Sequence, residues 1–521
     1  MNRSVVWPRR IAAIAIAGVM LIPLAACSGG SGGGDKGAAN ASKLTLGLES
    51  DPAPQGYDPV HYAGGAQDQF YSGLYDSLFT YDKDGKVVPS LVSDFSYNAD
   101  STTLTLDLKP DVTFTDGGTL DAALVKANLD RRDQPGFAAY NAIKKGGATE
   151  IASVDVVDDD TVALTFSKPQ AGFQVNLVGT PGMIVGPDAV KNPDSLAAKP
   201  DGSGPYTLDS GDTVKSNSYA LTKKKDSPEA SAYPFDSIVF KVMLDPQARL
   251  NALISGQIDS ALLAAATVDT AKKRKVALSQ IGGTVYEQLI FDKLGATAPA
   301  FANVKVRQAL SIAIDRKAFV NALHKGELPT WNALPKDSPG FDPKLESEFA
   351  YNPKKAKQLL AEAGYPDGFS FTRVVGDDTK TDAQAIQKYY AAIGVDMQLK
   401  VATSTEEAFN SVKTTPMGGP QATNWANPVA VMNGVVFGFT NFQGAKNPEL
   451  SAATGALAAA QTDADRAKAL TDLNRHLVED VWLMPLYEQL TTHAYNATKL
   501  KKVTFAGTNS WPLLSSYTPA G

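Results

Sequence analysis

At 521 residues the chain is long enough to fold as more than one lobe, and its 49 basic and 55 acidic residues, net charge -6, leave no electrostatic footprint for nucleic acid. A single cysteine, Cys27, excludes disulfides, a zinc–cysteine cluster and a cysteine nucleophile from the rest of the sequence.

Arg3, Arg9 and Arg10 precede an apolar run over residues 11–24. The run is too short to span a bilayer, which needs about 20 apolar residues, and it has the proportions of a signal-peptide core. It ends in Leu24-Ala25-Ala26-Cys27, which resembles the bacterial lipobox. That resemblance implies cleavage after residue 26 and a diacylglyceryl group on Cys27, and two acyl chains at about 0.8 kcal/mol per buried methylene suffice for stable anchoring. An ordinary secretory signal with an incidental cysteine is the alternative. Residues 27–42 are rich in Gly, Ser and Ala and read as a flexible tether. Gly29-Gly30-Ser31-Gly32-Gly33 matches the hydrolase elbow G-x-S-x-G only formally, with no strand before it and no helix after it.

Alternation at Leu44, Leu46 and Leu48, at Leu104, Leu106 and Leu108, and at Val162, Leu164 and Phe166 predicts strands, as does the apolar run 238–244. Asp245-Pro246 opens a predicted helix with Leu250, Leu253 and Ile254 inward and Gly256 at its end. A further helix starts at Val306 and runs toward Leu323. Asn352-Pro353 caps another, with Ala356, Leu359, Leu360 and Ala363 on one face, and a fourth covers 463–481. The basic runs 223–225 and 272–275 read as solvated surface. Strands and helices mixed along the whole length predict an α/β protein.

Seven motifs in order resemble the solute-binding proteins of family 5, the extracellular receptors of peptide, oligopeptide and nickel ABC importers. They are Leu74-Tyr75-Asp76-Ser77-Leu78, read as an early helix; the hairpin 89–114; Thr115-Asp116-Gly117-Gly118; Gly202-Ser203-Gly204-Pro205-Tyr206; LISGQID at 253–259; VRQALSIAIDR at 306–316; and YNPKKAKQLLAEAGYPDG at 351–368. The resemblance implies a two-lobed α/β clamp, type II and cluster C-like, with an extra domain on the first lobe. The first lobe is expected from 43–74, 204–285 and 491–521, the extra domain from 75–203 and the second lobe from 286–490. The implied function is that of an extracytoplasmic lipoprotein anchored to the cell membrane. It would act as a monomer and without catalysis, capturing a peptide, oligosaccharide or other polar solute by hinge closure and passing it to ABC permease subunits. An exported hydrolase and a sensing or adhesion lipoprotein on the same fold are the competing classes. No cofactor is implied, and His61, His324, His476 and His493 are not paired at metal-ligand spacing.

Cleft-facing loops supply the candidate ligand-binding residues. Tyr57, His61 and Tyr62 follow the first strand and can stack on and hydrogen-bond a ligand. Trp331 follows the Val306 helix, and Arg373 on a predicted strand could pair with an anion. Asn424-Trp425-Ala426-Asn427-Pro428 occupies the place where peptide-binding members carry an acid for the peptide's α-ammonium. Asn427 stands there instead, with no acidic residue between positions 413 and 445. An amide cannot neutralise a buried ammonium, so the expected ligand is neutral or N-blocked at that end, resting on Trp425, unless Glu49 or Asp58 supplies the missing charge. Trp482 and Tyr487 read as core residues, and Asp292 as structural.

Overall fold

The computed structural model describes residues 43–520 apart from 63–64, 84, 148, 226–229, 377–378, 404–406, 408–409, 426 and 507–510. Cys27 and the tether lie outside the described residues. The folded chain opens with β1 (Lys43–Leu48), whose Leu44, Leu46 and Leu48 are all buried. A hairpin of β2 (Phe79–Tyr81) and β3 (Val87–Pro89) leads into a four-stranded antiparallel sheet. That sheet comprises β4 (Val92–Tyr97), β5 (Thr103–Leu108), β6 (Ser153–Val156) and β7 (Thr161–Thr165) in the order β4-β5-β7-β6. It covers a core of its own, built from Leu104, Leu106, Val125, Leu129, Val162 and Leu164 among others.

Next come β8 (Tyr206–Val214), β9 (Ser218–Lys223), β10 (Ser237–Val242), β11 (Ser260–Leu263) and β12 (Ala277–Ile290). Beyond them lie β13 (Leu328–Pro329), the parallel pair β14 (Phe369–Val375) and β15 (Val395–Val401), β16 (Met417–Asn424) and β17 (Leu483–Tyr495). The large sheet has the order β16-β12-β17-β11-β1-β10-β9-β8, with β13 on β17. β12 and β17 tie its two halves together. Residues 277–281 of β12 pair with 491–495 of β17, beside β11. Residues 284–290 pair with β16 and with the start of β17. The register shifts between Ile281 and Thr284, where Gly283 takes a φ of 140° open to glycine. On one side of this crossing the core is Leu44, Phe70, Tyr219 and Phe240; on the other it is split between the Leu310–Tyr390 and Leu450–Trp482 clusters.

Local signals explain the helices. Asp245 accepts from Ala248 N at 2.6 Å and Asn352 from Lys355 N at 2.9 Å, so the helices Pro246–Ile254 and Pro353–Glu362 start where their caps stand. Ile254 is 45% exposed rather than inward, because Leu250 and Leu253 take the core face of the last turn. The expected helix from Val306 to Leu323 is two, Val304–Ile312 and Arg316–Leu323, since Asp315 breaks out to cap the second through Ala318 N. Leu74 to Leu78 is not helical: the helix Ala66–Tyr71 ends before it, and Ser77 bridges to Met183. The Gly202–Gly204 motif lies backbone on backbone, and a Cβ on Gly204 would sit 2.4 Å from the Leu74 carbonyl carbon. Lys224 is half-buried and donates to Gly202 O at 3.2 Å, unlike the exposed 272–275 run. Trp482, Tyr487 and Asp292 are buried as expected, Asp292 accepting from Ala296, Thr297 and Ala298 N. His324 is half-buried; its Nε2 lies 3.0 Å from Asp382, and its ring stacks on Tyr487. No helix among the described residues is long and apolar enough to cross a membrane.

Candidate functional site

A cavity of ≈ 590 Å³ opens where six stretches of chain converge, Ala232 and Tyr233 among them. The helix Ala66–Tyr71 and the turn after it contribute Asp68, Gln69, Tyr75 and Asp76, and β2 contributes Thr80 and Tyr81. Residues 138–142 and 175–183 form a second wall, 511–515 a third, and Asn424 and Asn427 reach in from the end of β16 and beyond. The volume suits a small solute.

Asp68 is half-buried in this wall. It accepts from Thr180 N at 3.1 Å, and burial pushes its carboxyl up to about 6 despite that bond. Gly179, at a φ of 70°, brings the backbone against it: a Cβ there would lie 3.2 Å from both carboxylate oxygens. Asp76 accepts from Ser203 Oγ at 2.9 Å. Tyr75 donates its hydroxyl to Tyr57 O at 2.7 Å and lines the cavity. Gln69 is held by bonds from its amide to Pro512 O and Tyr517 Oη, both 2.8 Å.

Of the eight sequence-derived candidates, Asn424 and Asn427 line the cavity and the other six do not. Asn427 is already engaged: its Oδ1 accepts from Ala430 N at 3.1 Å, capping a short helix, and its Nδ2 donates to Asn176 Oδ1 across the cleft. Trp425, in the turn just after β16, is 3% exposed and belongs to the core cluster of Leu289 and Trp482, while Asn424 beside it lines the cavity. Arg373 is fully buried beneath β12, donating to Gln288 Oε1 and Gly419 O, so it is neither a surface ion pair nor a ligand anchor in this conformation. Trp331 is buried with the Arg316 guanidinium 5.4 Å from its ring. Tyr57 and Tyr62 belong to the first core, Tyr62 stacked on Tyr71 at 5.3 Å, and the His61 ring packs edge-on against Phe137. Asp58 is committed to a buried ion pair with Arg131, and Glu49 lies in a narrow crevice behind Gln69 and Trp511, its carboxyl raised by burial.

Sequence reasoning missed Asp68, Tyr81 and Trp511. Asp68 carried a usable signal: Ala66, Phe70 and Tyr71 take the core face of their short helix, which leaves the acid on the side turned to the opposing wall.

Comparison with known proteins agrees with the architecture. Residues 86–443 match the model for bacterial extracellular solute-binding proteins, family 5. The glutathione-binding protein GsiB of Salmonella paratyphi A is 31% identical over 347 residues, covering 64% of this chain and 65% of that protein. The chain thus spans about 65% of the length of the curated relatives it matches. Among solved structures, HbpA2 from Haemophilus parasuis superposes with a TM-score of 0.79 at 20% identity, covering 92% of this chain and 99% of that one. The murein tripeptide binding protein MppA in its unliganded open form gives 0.78 at 19% identity, with 92% and 98% covered. The fold is the two-lobed periplasmic-binding-protein clamp, and proteins of this kind bind solutes without enzymatic activity.

Proposed function

The chain belongs to the bacterial extracellular solute-binding proteins of family 5, and from that premise we propose that it captures a small solute in the cavity between its lobes and delivers it to an ABC import permease. The observation that carries this reading is the cavity itself: ≈ 590 Å³, walled from one side by residues 65–90 and 511–515 and from the other by Asn424 and Asn427. The crossing strands β12 and β17 join the two sides and are suited to act as the hinge. The corresponding division is a first lobe of 43–74, 204–285 and 491–521, an extra domain of 75–203 and a second lobe of 286–490. The protein acts as a monomer, outside the cytoplasm, held to the membrane by a lipid on Cys27.

Two measurements test this. Mass spectrometry of denatured, gently purified protein should release a stoichiometric small molecule, and adding that molecule back should reduce the radius of gyration in solution scattering. A micromolar Kd, about -8.2 kcal/mol, would be ordinary. Since a ligand shifts a two-state equilibrium only through differential affinity, an unchanged radius at saturation would count against the clamp. For the anchor, intact mass of membrane-fraction protein should show acyl mass on Cys27, and Cys27→Ser should release the protein or leave it uncleaved. A soluble product cut elsewhere would sink the anchor and leave the clamp standing.

A further inference from the structure

We infer that the solute held in this cavity is a small organic cation, anchored by Asp68 on the first side of the cleft. The inference deepens the solute-binding reading and rests on it. Its basis is the charge inventory of the walls. The described lining residues include two carboxylates, Asp68 and Asp76, and four aromatic rings, Tyr75, Tyr81, Tyr233 and Trp511. They include no lysine, arginine or histidine.

The two acids differ in their surroundings. Asp76 takes the Ser203 hydroxyl and feels the half-buried Lys224 behind it. Asp68 receives one backbone N–H, from Thr180, and no cation pairs with it among the described residues. The Tyr81 phenol feels the Asp68 charge and, from the other direction, that of the half-buried Arg466, which is not among the described lining residues. A carboxylate at a cavity wall without a counter-ion favours a ligand that brings one. Aromatic faces add attraction for a positive group and none for an anion. An anionic solute would meet two carboxylates and no cation among the described lining residues, since Lys224 lies behind Asp76. Glutathione, whose two carboxylates outweigh its single ammonium, is therefore a poor fit to these walls, although relatives carry its name.

A metal ion fits less well than an amine. No group of three or more His, Asp or Glu side chains among the described residues is placed to hold one. The arrangement also answers the missing acid of the second lobe. Asn427 cannot neutralise an ammonium, and its amide is bonded to Asn176 and Ala430. Asp68 places the negative charge on the opposite wall, so the cationic end of the ligand points toward the helix Ala66–Tyr71. This replaces the neutral-ligand expectation that followed from Asn427 alone.

The test is titration calorimetry of the full chain with putrescine, choline and lysinamide, alongside glutathione and maltose, together with the charge of any co-purified solute. The expected result is micromolar binding of at least one of the three cations, weakened 10- to 100-fold in Asp68→Asn, or a co-purified solute of net positive charge. The selectivity of the wild-type protein stands without the variant if that variant folds poorly. Binding of glutathione or maltose with compaction, undiminished in Asp68→Asn, overturns the cation assignment and leaves the clamp intact, as does a co-purified solute without net positive charge. If none of the five binds and nothing co-purifies, the solute-binding reading fails and this inference fails with it.

Discussion

Replacing Arg373 by alanine is expected to lower the stability of the folded chain by about 3–5 kcal/mol. The side chain is fully buried, and its Nη1 and Nη2 donate to Gln288 Oε1 and Gly419 O. Alanine would leave both acceptors without a donor inside a void the size of the lost guanidinium. Each such orphan costs roughly 1–3 kcal/mol, and the cavity adds to it. The native residue is itself a compromise: burial pulls its pKa down to about 10, and its Nε has no partner among the described residues. Truncation therefore costs more than the native interaction contributes. Arg373→Met, which keeps volume and drops the charge, should lose less than Arg373→Ala. Urea unfolding of the three proteins decides the matter. A ligand-anchoring role would show the reverse pattern, with affinity lost and the unfolding midpoint unmoved.

Arg373 also marks where the sequence stops being informative. Its strand is legible, because alternation and the preceding Gly368 are local signals. Which face the arginine takes depends on β12 lying over it, and Gln288 is 85 residues away in sequence. The helix starts at Asp245 and Asn352 are readable for the same reason that the strands are: cap and helix lie within three residues of each other. The break at Asp315 is just as local and still hidden, because an apolar period running from Val306 to Leu323 masks a capping residue in its middle. Family motifs are readable because they encode fixed contacts, such as the approach of Gly204 to Leu74 that admits no side chain. The cavity is different. Six separated segments build its walls, and Asp68 becomes a site residue only when Gly179 and Thr180, more than a hundred residues on, close over it. Trp425 misleads for a related reason. An aromatic residue in a cleft loop suits a ligand platform and a core position equally well, and only the packing of Leu289 and Trp482 distinguishes them.

Glu287→Gln is expected to stabilise the protein at alkaline pH and to leave it nearly unchanged in mild acid. Glu287 sits on β12 between β16 and β17, on the same face as Val285 and Leu289, which belong to the core cluster of Leu450 and Trp482. It is fully buried, and neither carboxylate oxygen has a hydrogen-bond partner among the described residues. Burial pushes its pKa up to about 8, with only the nearby Thr423 hydroxyl acting in the other direction. In the unfolded chain the same group titrates near 4.3. Between these values the folded protein keeps a proton that the unfolded chain has released, so stability falls as pH rises through that window. The contribution is fully present below the unfolded pKa and lost once pH passes the folded one. A tenfold change in proton affinity is worth about 1.4 kcal/mol, which bounds the loss near 5 kcal/mol. Relaxation around the charge should reduce it to about 2–3 kcal/mol. Glutamine keeps the shape and cannot ionise, so it removes this slope. Lys293, buried just past the end of β12 and lowered by that burial to about 7, gains stability with rising pH in both proteins and cancels in the difference. Chemical unfolding at pH 5 and pH 8.5 should show the two proteins within about 1 kcal/mol in acid and the variant ahead by about 2–3 kcal/mol in base. Parallel stability curves across that range would mean that Glu287 finds a partner or water in solution and ionises there at little cost.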